Sequence, residues 1–438
     1  MSPAFRCPVV ERQKLTPHVP DRTYTYKYMY NRPELRRAVF MAWDLHRNPF
    51  VEEVQSMRNL RDLDFSRTPF VAIWEVTRAC DLACRHCRAE AIKQRSPGEL
   101  STEEGYDLID KIRSMGTHLL VLSGGDPVKR EDIFDLIRYG AVNGLRMATI
   151  PAATPSLTPG LVMRLKEAGL SQMALSLDGP DRETHDTFRG TPGAFDLTIK
   201  GAWYARMAEL PLQINTTFGV HNIDRFEETA CLVKDLGVVF WEVFFLVPMG
   251  RGQMLRQMKA YQYERLFDKL YRFSKEVDFI VKITEAQHYR RYVMERETRA
   301  GTPGAAVNLP ERLTRDFGPG GSIGLAPKGV NSGNGFVFIS HTGEVFPSGF
   351  LPISAGNVRN ESIVDIYRKS PLFVGIRDYG KLKGKCGACK WKYICGGSRA
   401  RAYALTGDYM ESEPGCAFVP ESYGRRSRKG ACASLADA

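Results

Sequence analysis

Between residues 69 and 260 apolar runs alternate with polar, amphipathic stretches of helical length. The runs fall at 70–76, 118–123, 145–150, 171–177, 211–218 and 238–246. Strand and helix in repeated alternation predict a parallel sheet with right-handed crossovers. Six such units suit an α/β fold of the open, partial (β/α)6 TIM-like barrel kind. Chemistry in these sheets gathers at the C-terminal ends of the strands. The residues just past each run are therefore the first place to look for a site.

Directly behind the first run, Phe70-Val-Ala-Ile-Trp-Glu-Val76, stand Cys80, Cys84 and Cys87 in CxxxCxxC spacing. One short loop thus presents three thiolates and no fourth. A cubane iron–sulfur cluster held by three thiolates keeps one iron open to an exogenous ligand. Zinc is the alternative, but structural zinc usually takes four ligands in paired clusters. His86, between Cys84 and Cys87, is too constrained to close a tetrahedron with both.

Three further motifs sit past later runs. Ser123-Gly-Gly-Asp-Pro127 ends the second, and adjacent glycines let backbone approach a ligand without a Cβ between. Alone, such a turn is commonplace; one unit after CxxxCxxC it gains weight. Ser176-Leu-Asp-Gly179 ends the fourth run and offers a hydroxyl and a carboxylate, followed by His185-Asp186 and Phe188-Arg189-Gly190. Arg189 is either a fork for a carboxylate or half of a structural ion pair. Asn215 and Thr217, on the fifth run, either contact a ligand or satisfy the barrel's own polar groups.

A second cysteine group, Cys386, Cys389, Cys395 and Cys416, lies in CGACKWKYICGGSRARAYALTGDYMESEPGC. Four thiolates close a cluster with no open iron, which suits electron transfer or structure. Four-thiolate zinc remains open, because spacing does not distinguish the metals.

These motifs resemble the signature of the radical S-adenosylmethionine (SAM) superfamily. The resemblance implies an open iron that chelates the amino and carboxylate groups of SAM. Reductive cleavage then gives a 5′-deoxyadenosyl radical that abstracts hydrogen. It further implies that Gly124, Gly125 and Asp126 bind the SAM amino group, Asp126 standing where the family has Glu. Ser176 and Asp178 would take the ribose, Arg189 the carboxylate, and His86 would lie near the adenine. Asn215 and Thr217 would add polar contacts near SAM. The second cysteine group resembles the SPASM/Twitch auxiliary-cluster region. It looks most like the branch of alternative haem-biosynthesis decarboxylases and nitrite-reductase haem maturases. The shared features are the CGG run with Arg399-Ala-Arg401-Ala, Thr406-Gly-Asp408 and the Pro-x-Cys ending at Cys416. Ser348 and Ser398 stand where many relatives have Cys. One auxiliary [4Fe-4S] cluster is therefore expected beside the open-iron [4Fe-4S] cluster. The resemblance covers about 69–250 and 335–420. It implies a carboxylated tetrapyrrole substrate, with a ribosomally made peptide as the rival and a non-catalytic metal scaffold as the rival of another class.

Composition bounds the remainder. At 438 residues, 43% hydrophobic and 25% charged, the chain reads as two or three globular domains with no run able to span a bilayer. The N-terminus lacks an apolar signal core, so a cytoplasmic protein is expected. Seven of the ten cysteines fall in the two groups, which favours metal ligation in a reducing compartment. Cys231 reads as a small core residue, and Cys7 and Cys432 as unligated. The net charge of +11 is either a solvated basic surface, partly from the tail Arg425-Arg-Ser-Arg-Lys429, or a preference for acidic partners, including a flavodoxin or ferredoxin-type electron donor; no nucleic-acid motif accompanies it. The expected divisions are an N-terminal extension at 1–68, the core barrel at 69–260 and a helical, Gly/Pro-rich connector or lid at 261–334. An auxiliary domain at 335–420 and a basic tail at 421–438 complete the chain. Alternating Tyr24, Tyr26, Tyr28 and Tyr30 predict a strand, 33–57 helix, and Phe336–Pro347 a hairpin turned at His341-Thr-Gly343.

Overall fold

In the computed structural model, described over residues 63–299 and 329–423, the alternating runs become one sheet. Its strands are β1 (Val71–Thr77), β2 (Leu119–Gly124), β3 (Arg146–Thr149), β4 (Gln172–Ser176), β5 (Leu212–Phe218), β6 (Phe240–Phe245), β7 (Ile280–Thr284), β8 (Phe336–Ile339) and β9 (Val345–Phe346). Their order is β7-β6-β5-β4-β3-β2-β1-β8-β9. Pairing is parallel from β7 through β8, and only β8–β9 is antiparallel. The sheet is thus an open, mostly parallel partial barrel, as the alternation predicts. The strand reading at 24–30, the helix reading at 33–57, the Gly/Pro-rich stretch up to 328, and the tail beyond 423 lie outside the described residues.

The sequence reading stops one strand short. β7 lies in a stretch read as helices rich in Arg, Lys and Tyr. That stretch holds helix, strand and helix in turn: Ala260–Glu276, β7, then Tyr289–Arg299. The β8–β9 hairpin forms where expected, and β8 extends the barrel sheet beside β1. From Asp64 on, barrel and cysteine-rich segment therefore belong to one compact unit.

The crossover helices are α1 (Thr102–Ser114), α2 (Ile133–Val142), α3 (Pro159–Glu167), α4 (Arg182–Arg189), α5 (Ala194–Met207), α6 (Phe226–Asp235), α7 (Ala260–Glu276) and α8 (Tyr289–Arg299). Local signals start them. Ser101 and Glu104 form a reciprocal capping box on α1, and Thr158 caps α3 ahead of Pro159. β1 is buried along nearly its whole length, as expected of a parallel strand covered on both faces. Trp74 and Trp241 anchor the core, and Trp241 packs edge-on against Phe273, centroids 5.4 Å apart. Each fully buried side chain of this size contributes roughly 1.5–3 kcal/mol relative to exposure. Among the described residues no helix is long and apolar enough to cross a membrane.

Candidate active site

The three cysteines of the first group lie in one loop past the end of β1. Cys80 N–H donates to Ile92 O (2.8 Å) and Ile92 N–H to Arg78 O (3.0 Å), closing that loop on itself. Cys80 and Cys84 are buried, Cys87 is half-buried, and all three are free thiols. Each sulfur has a donor: Leu82 N–H on Cys80 (3.4 Å), Ala91 N–H on Cys87 (3.4 Å) and Arg189 Nη1 on Cys84 (3.7 Å). Burial pushes the Cys80 thiol up to about 11, so its thiolate needs a cation beside it. Three clustered thiols with donors already aimed at sulfur fit an iron–sulfur cluster.

The Gly-Gly-Asp-Pro turn braces this loop. Gly125 N–H donates to Thr77 O (2.8 Å) and Asp126 N–H to Ala79 O (2.7 Å). A Cβ on Gly124 would stand 2.3 Å from Thr77 O, and one on Gly125 2.4 Å from Ala79 O. The close approach read from sequence as room for a ligand is thus also an approach of backbone to the cysteine loop. Asp126 is fully buried. Its Oδ1 accepts from Ala152 N–H (3.1 Å), while Oδ2 has no partner among the described residues. Burial pushes its pKa up to about 6.

Asp178 faces protein partners with both of its oxygens. Oδ1 accepts from Thr217 N–H (2.7 Å), and Oδ2 lies 2.5 Å from Arg189 Nη2 as an ion pair outside hydrogen-bond alignment. Its own N–H donates to His185 Nδ1 (3.0 Å). Asp178 thus anchors Arg189, and each of its oxygens keeps a further lone pair for a ligand hydroxyl. Burial alone would lower the Arg189 pKa, but Asp178 and Cys84 hold it above its ordinary value. Arg189 therefore joins the ion pair to the cysteine loop. Ser176 and Asn215 are paired in register across β4 and β5, and Asn215 Oδ1 accepts from Gln213 Nε2 (2.7 Å). His86 lies flat on Phe188, centroids 4.1 Å apart, and His221 also stacks on Phe188 at 3.8 Å. Phe188 thus takes one face of His86. Burial drives the His86 pKa well below its ordinary value.

Several groups here escaped the sequence reading. Arg251, past β6, donates its N–H to Cys87 O (3.2 Å), and its Nε and Nη2 lack partners among the described residues. Glu75 on β1 pairs with Arg88 (2.6 Å) and His341 (2.8 Å), bridging the cysteine loop to the β8–β9 turn. Burial would raise the Glu75 pKa; Arg88 and His341 bring it below the usual carboxylate value. No motif announces such pairs, because the partners are far apart in sequence.

Cys386, Cys389, Cys395 and Cys416 line one cavity together with His288, Trp391 and Phe418. Gly396 and Gly397 both take left-handed φ, +70° and +64°, which turns the chain back after Cys395. Glu413 N–H donates to Cys386 Sγ (3.2 Å) and Gly397 N–H to Cys395 Sγ (3.4 Å). Burial raises Cys395 to about 12 and Cys416 to about 11. The four thiols ring that cavity, and this donor set fits a multi-iron cluster as well as four-thiolate zinc. Helix α9 (Arg399–Thr406) ties this site to the barrel: Arg401 Nη2 donates to Phe245 O and Leu246 O at the end of β6, both at 3.2 Å.

The two serines standing where many relatives have cysteine converge on one buried carboxylate. Ser398 Oγ donates to Glu285 Oε2 (2.5 Å), and the Ser348 side chain also hydrogen-bonds Glu285. Cys231 is half-buried and disulfide-bonded, which departs from its reading as a simple core residue.

Residues 74–233 match the radical SAM superfamily. A protein of Methanosarcina barkeri named AdoMet-dependent heme synthase is 40% identical over 356 residues, covering 81% of this chain and 98% of that protein. Its namesake in Nitratidesulfovibrio vulgaris is 41% identical, over 82% of this chain and 94% of its own. The crystal structure of Streptococcus suis SuiB bound to precursor peptide SuiA has a similar fold, with a TM-score of 0.61 at 16% identity, covering 85% of this chain and 82% of that one. Taken with the open parallel sheet and the cysteine loop past its first strand, these likenesses place the chain in the radical SAM superfamily of iron–sulfur enzymes.

Proposed function

We propose that this chain is a radical SAM oxidoreductase acting on a carboxylated tetrapyrrole, in haem-type maturation or decarboxylation. The observation that carries the substrate class is the 40% identity along 98% of a protein named AdoMet-dependent heme synthase. When bound, the open-iron cluster and SAM supply one-electron chemistry ending in hydrogen-atom abstraction. Cys80, Cys84 and Cys87 hold that cluster. Gly124 and Gly125 seat the cysteine loop, and the unpaired Oδ2 of Asp126 offers an acceptor for the SAM amino group. Arg189, held by Asp178, keeps positive charge against Cys84. Ser176, Asn215 and Thr217 provide polar groups at the strand ends, and His86 an aromatic ring stacked on Phe188. Arg251, with two unpartnered guanidinium nitrogens, is suited to a carboxylate.

Removing a hydrogen atom and CO2 from a propionate side chain leaves a vinyl group and one surplus electron. A closed four-thiolate cluster on Cys386, Cys389, Cys395 and Cys416 is suited to accept it. The basic chain, at +11, favours an acidic flavodoxin or ferredoxin as the donor.

The test is turnover by anaerobically reconstituted protein with SAM and a reductant, across propionate-bearing iron porphyrins and short peptides. The expected product has lost CO2 and two hydrogens per side chain, with 5′-deoxyadenosine formed alongside. Modification of the peptides alone would favour the second reading, which fold likeness to SuiB supports.

A further inference from the structure

We infer that His288 is a hydrogen-bond donor to the auxiliary cluster and raises its reduction potential; the inference rests on reading the four C-terminal cysteines as iron–sulfur ligands. His288 lies between β7 and α8 and is 1% exposed. It lines the cavity ringed by Cys386, Cys389, Cys395 and Cys416. Both of its ring nitrogens are buried and without a partner among the described residues. Buried polar atoms nearly always have partners, so two on one ring call for an explanation.

The cavity wall narrows what that partner can be. Each other polar side chain on it has a partner already, although Arg291 Nε is itself left without one. Glu413 takes Ser398 N–H and Gly415 N–H, each at 2.8 Å, and pairs with Arg401. Arg291 pairs with Glu264 and, at 2.9 Å, Glu295. Lys385 donates to Cys416 O (2.7 Å), Lys392 to Gly387 O (3.2 Å) and Trp391 Nε1 to Glu295 (3.2 Å). Among these side chains the imidazole has no partner on any polar atom, and the content of the cavity is what remains for it to meet.

Its packing holds the ring in place. Phe267 meets it edge-on with centroids 4.9 Å apart, and Tyr263 tilts against it at 5.2 Å. In either protonation state imidazole carries an N–H. Four thiolates already complete the four irons, so the ring is a donor to sulfur and not a ligand to iron. Reduction places extra negative charge on the sulfurs. A donor aimed at them stabilises the reduced form more than the oxidised, and the potential rises.

The experiment is an EPR-monitored redox titration of the reconstituted full chain and its His288→Phe variant, with metal analysis of both. Phenylalanine keeps the ring against Phe267 and Tyr263 and removes both nitrogens. The expected result is unchanged iron, about eight per chain from two cubanes, with the auxiliary potential moved to more negative values and the catalytic one unmoved. Unmoved auxiliary potential overturns the inference while leaving the cluster reading intact. Iron lost from the auxiliary site in His288→Phe and restored in His288→Cys overturns it too, by showing a ligand. Zinc in the wild-type auxiliary site overturns both. A second measurement stands if His288→Phe does not fold. Pulsed EPR on the variant lacking Cys80, Cys84 and Cys87, with histidine nitrogen labelled, should show a nitrogen coupling to the reduced auxiliary cluster; no coupling overturns the inference.

Discussion

At Gly125 a single added methyl group would press on the backbone of the cysteine loop. Its added Cβ would meet Ala79 O at 2.4 Å and Arg78 O at 2.6 Å. Both are backbone atoms directly before Cys80, so relief requires moving the first cysteine. Gly125→Ala should therefore lose about half of the iron on reconstitution, roughly four of eight. Gly160→Ala, whose Cβ meets nothing closer than Thr158 Oγ1 at 4.0 Å, serves as the control and should keep all of it. Iron content unchanged in Gly125→Ala would show that the brace is dispensable. Asp178 makes a second case at this scale. Removing one partner of a buried pair strands the other charge, at roughly 3–5 kcal/mol. Asp178→Asn should lower stability by that order in anaerobic denaturant unfolding, and weaken SAM binding through Arg189; an unchanged midpoint would refute the pairing role. The cysteines and the Gly-Gly turn were legible in sequence because their chemistry is local. That Asp178 answers to Arg189, or that His288 is unpartnered, was not legible, since both depend on what the fold brings alongside.

At the scale of elements, the alternation of strand and helix was plain for β1 to β6 and failed for β7. Phe279-Ile-Val-Lys-Ile-Thr284 is short and sits between two long helical patterns, with no Gly or Pro to punctuate it. The hairpin after Phe336 was legible from its turn, but its place beside β1 was not, because register across a parallel pair leaves no local mark. The strand matters to the site. Glu285 directly follows β7 at φ +57°, a backbone region that non-glycine residues seldom adopt. There its carboxylate receives Ser398 and Ser348. Ser398 is also the N-cap of α9, its Oγ accepting from Arg401 N–H at 3.0 Å. Ser398→Ala removes the cap and one donor to a buried carboxylate, so a loss of about 1–3 kcal/mol is expected. Iron should stay near eight per chain. A fall in iron with Ser398→Ala would mean that the hydroxyl acts toward a cluster and not toward Glu285.

For the whole molecule, the two cysteine sites belong to one unit, and Arg401 links α9 to the end of β6. Arg401 is itself 1% exposed and paired with Glu413, which caps the polypeptide around Cys386. The second cysteine site is thus joined to the barrel through buried polar contacts. The proposed division of labour predicts opposite outcomes for the two cysteine sets. Replacing Cys80, Cys84 and Cys87 together with Ala should leave about four irons per chain and abolish 5′-deoxyadenosine formation. Cys386→Ala should still form 5′-deoxyadenosine, yet give no decarboxylated product, since the surplus electron loses its acceptor. Measuring 5′-deoxyadenosine and product in parallel separates the two. Full product from Cys386→Ala would show that the second site is structural, and the electron must then leave by another route.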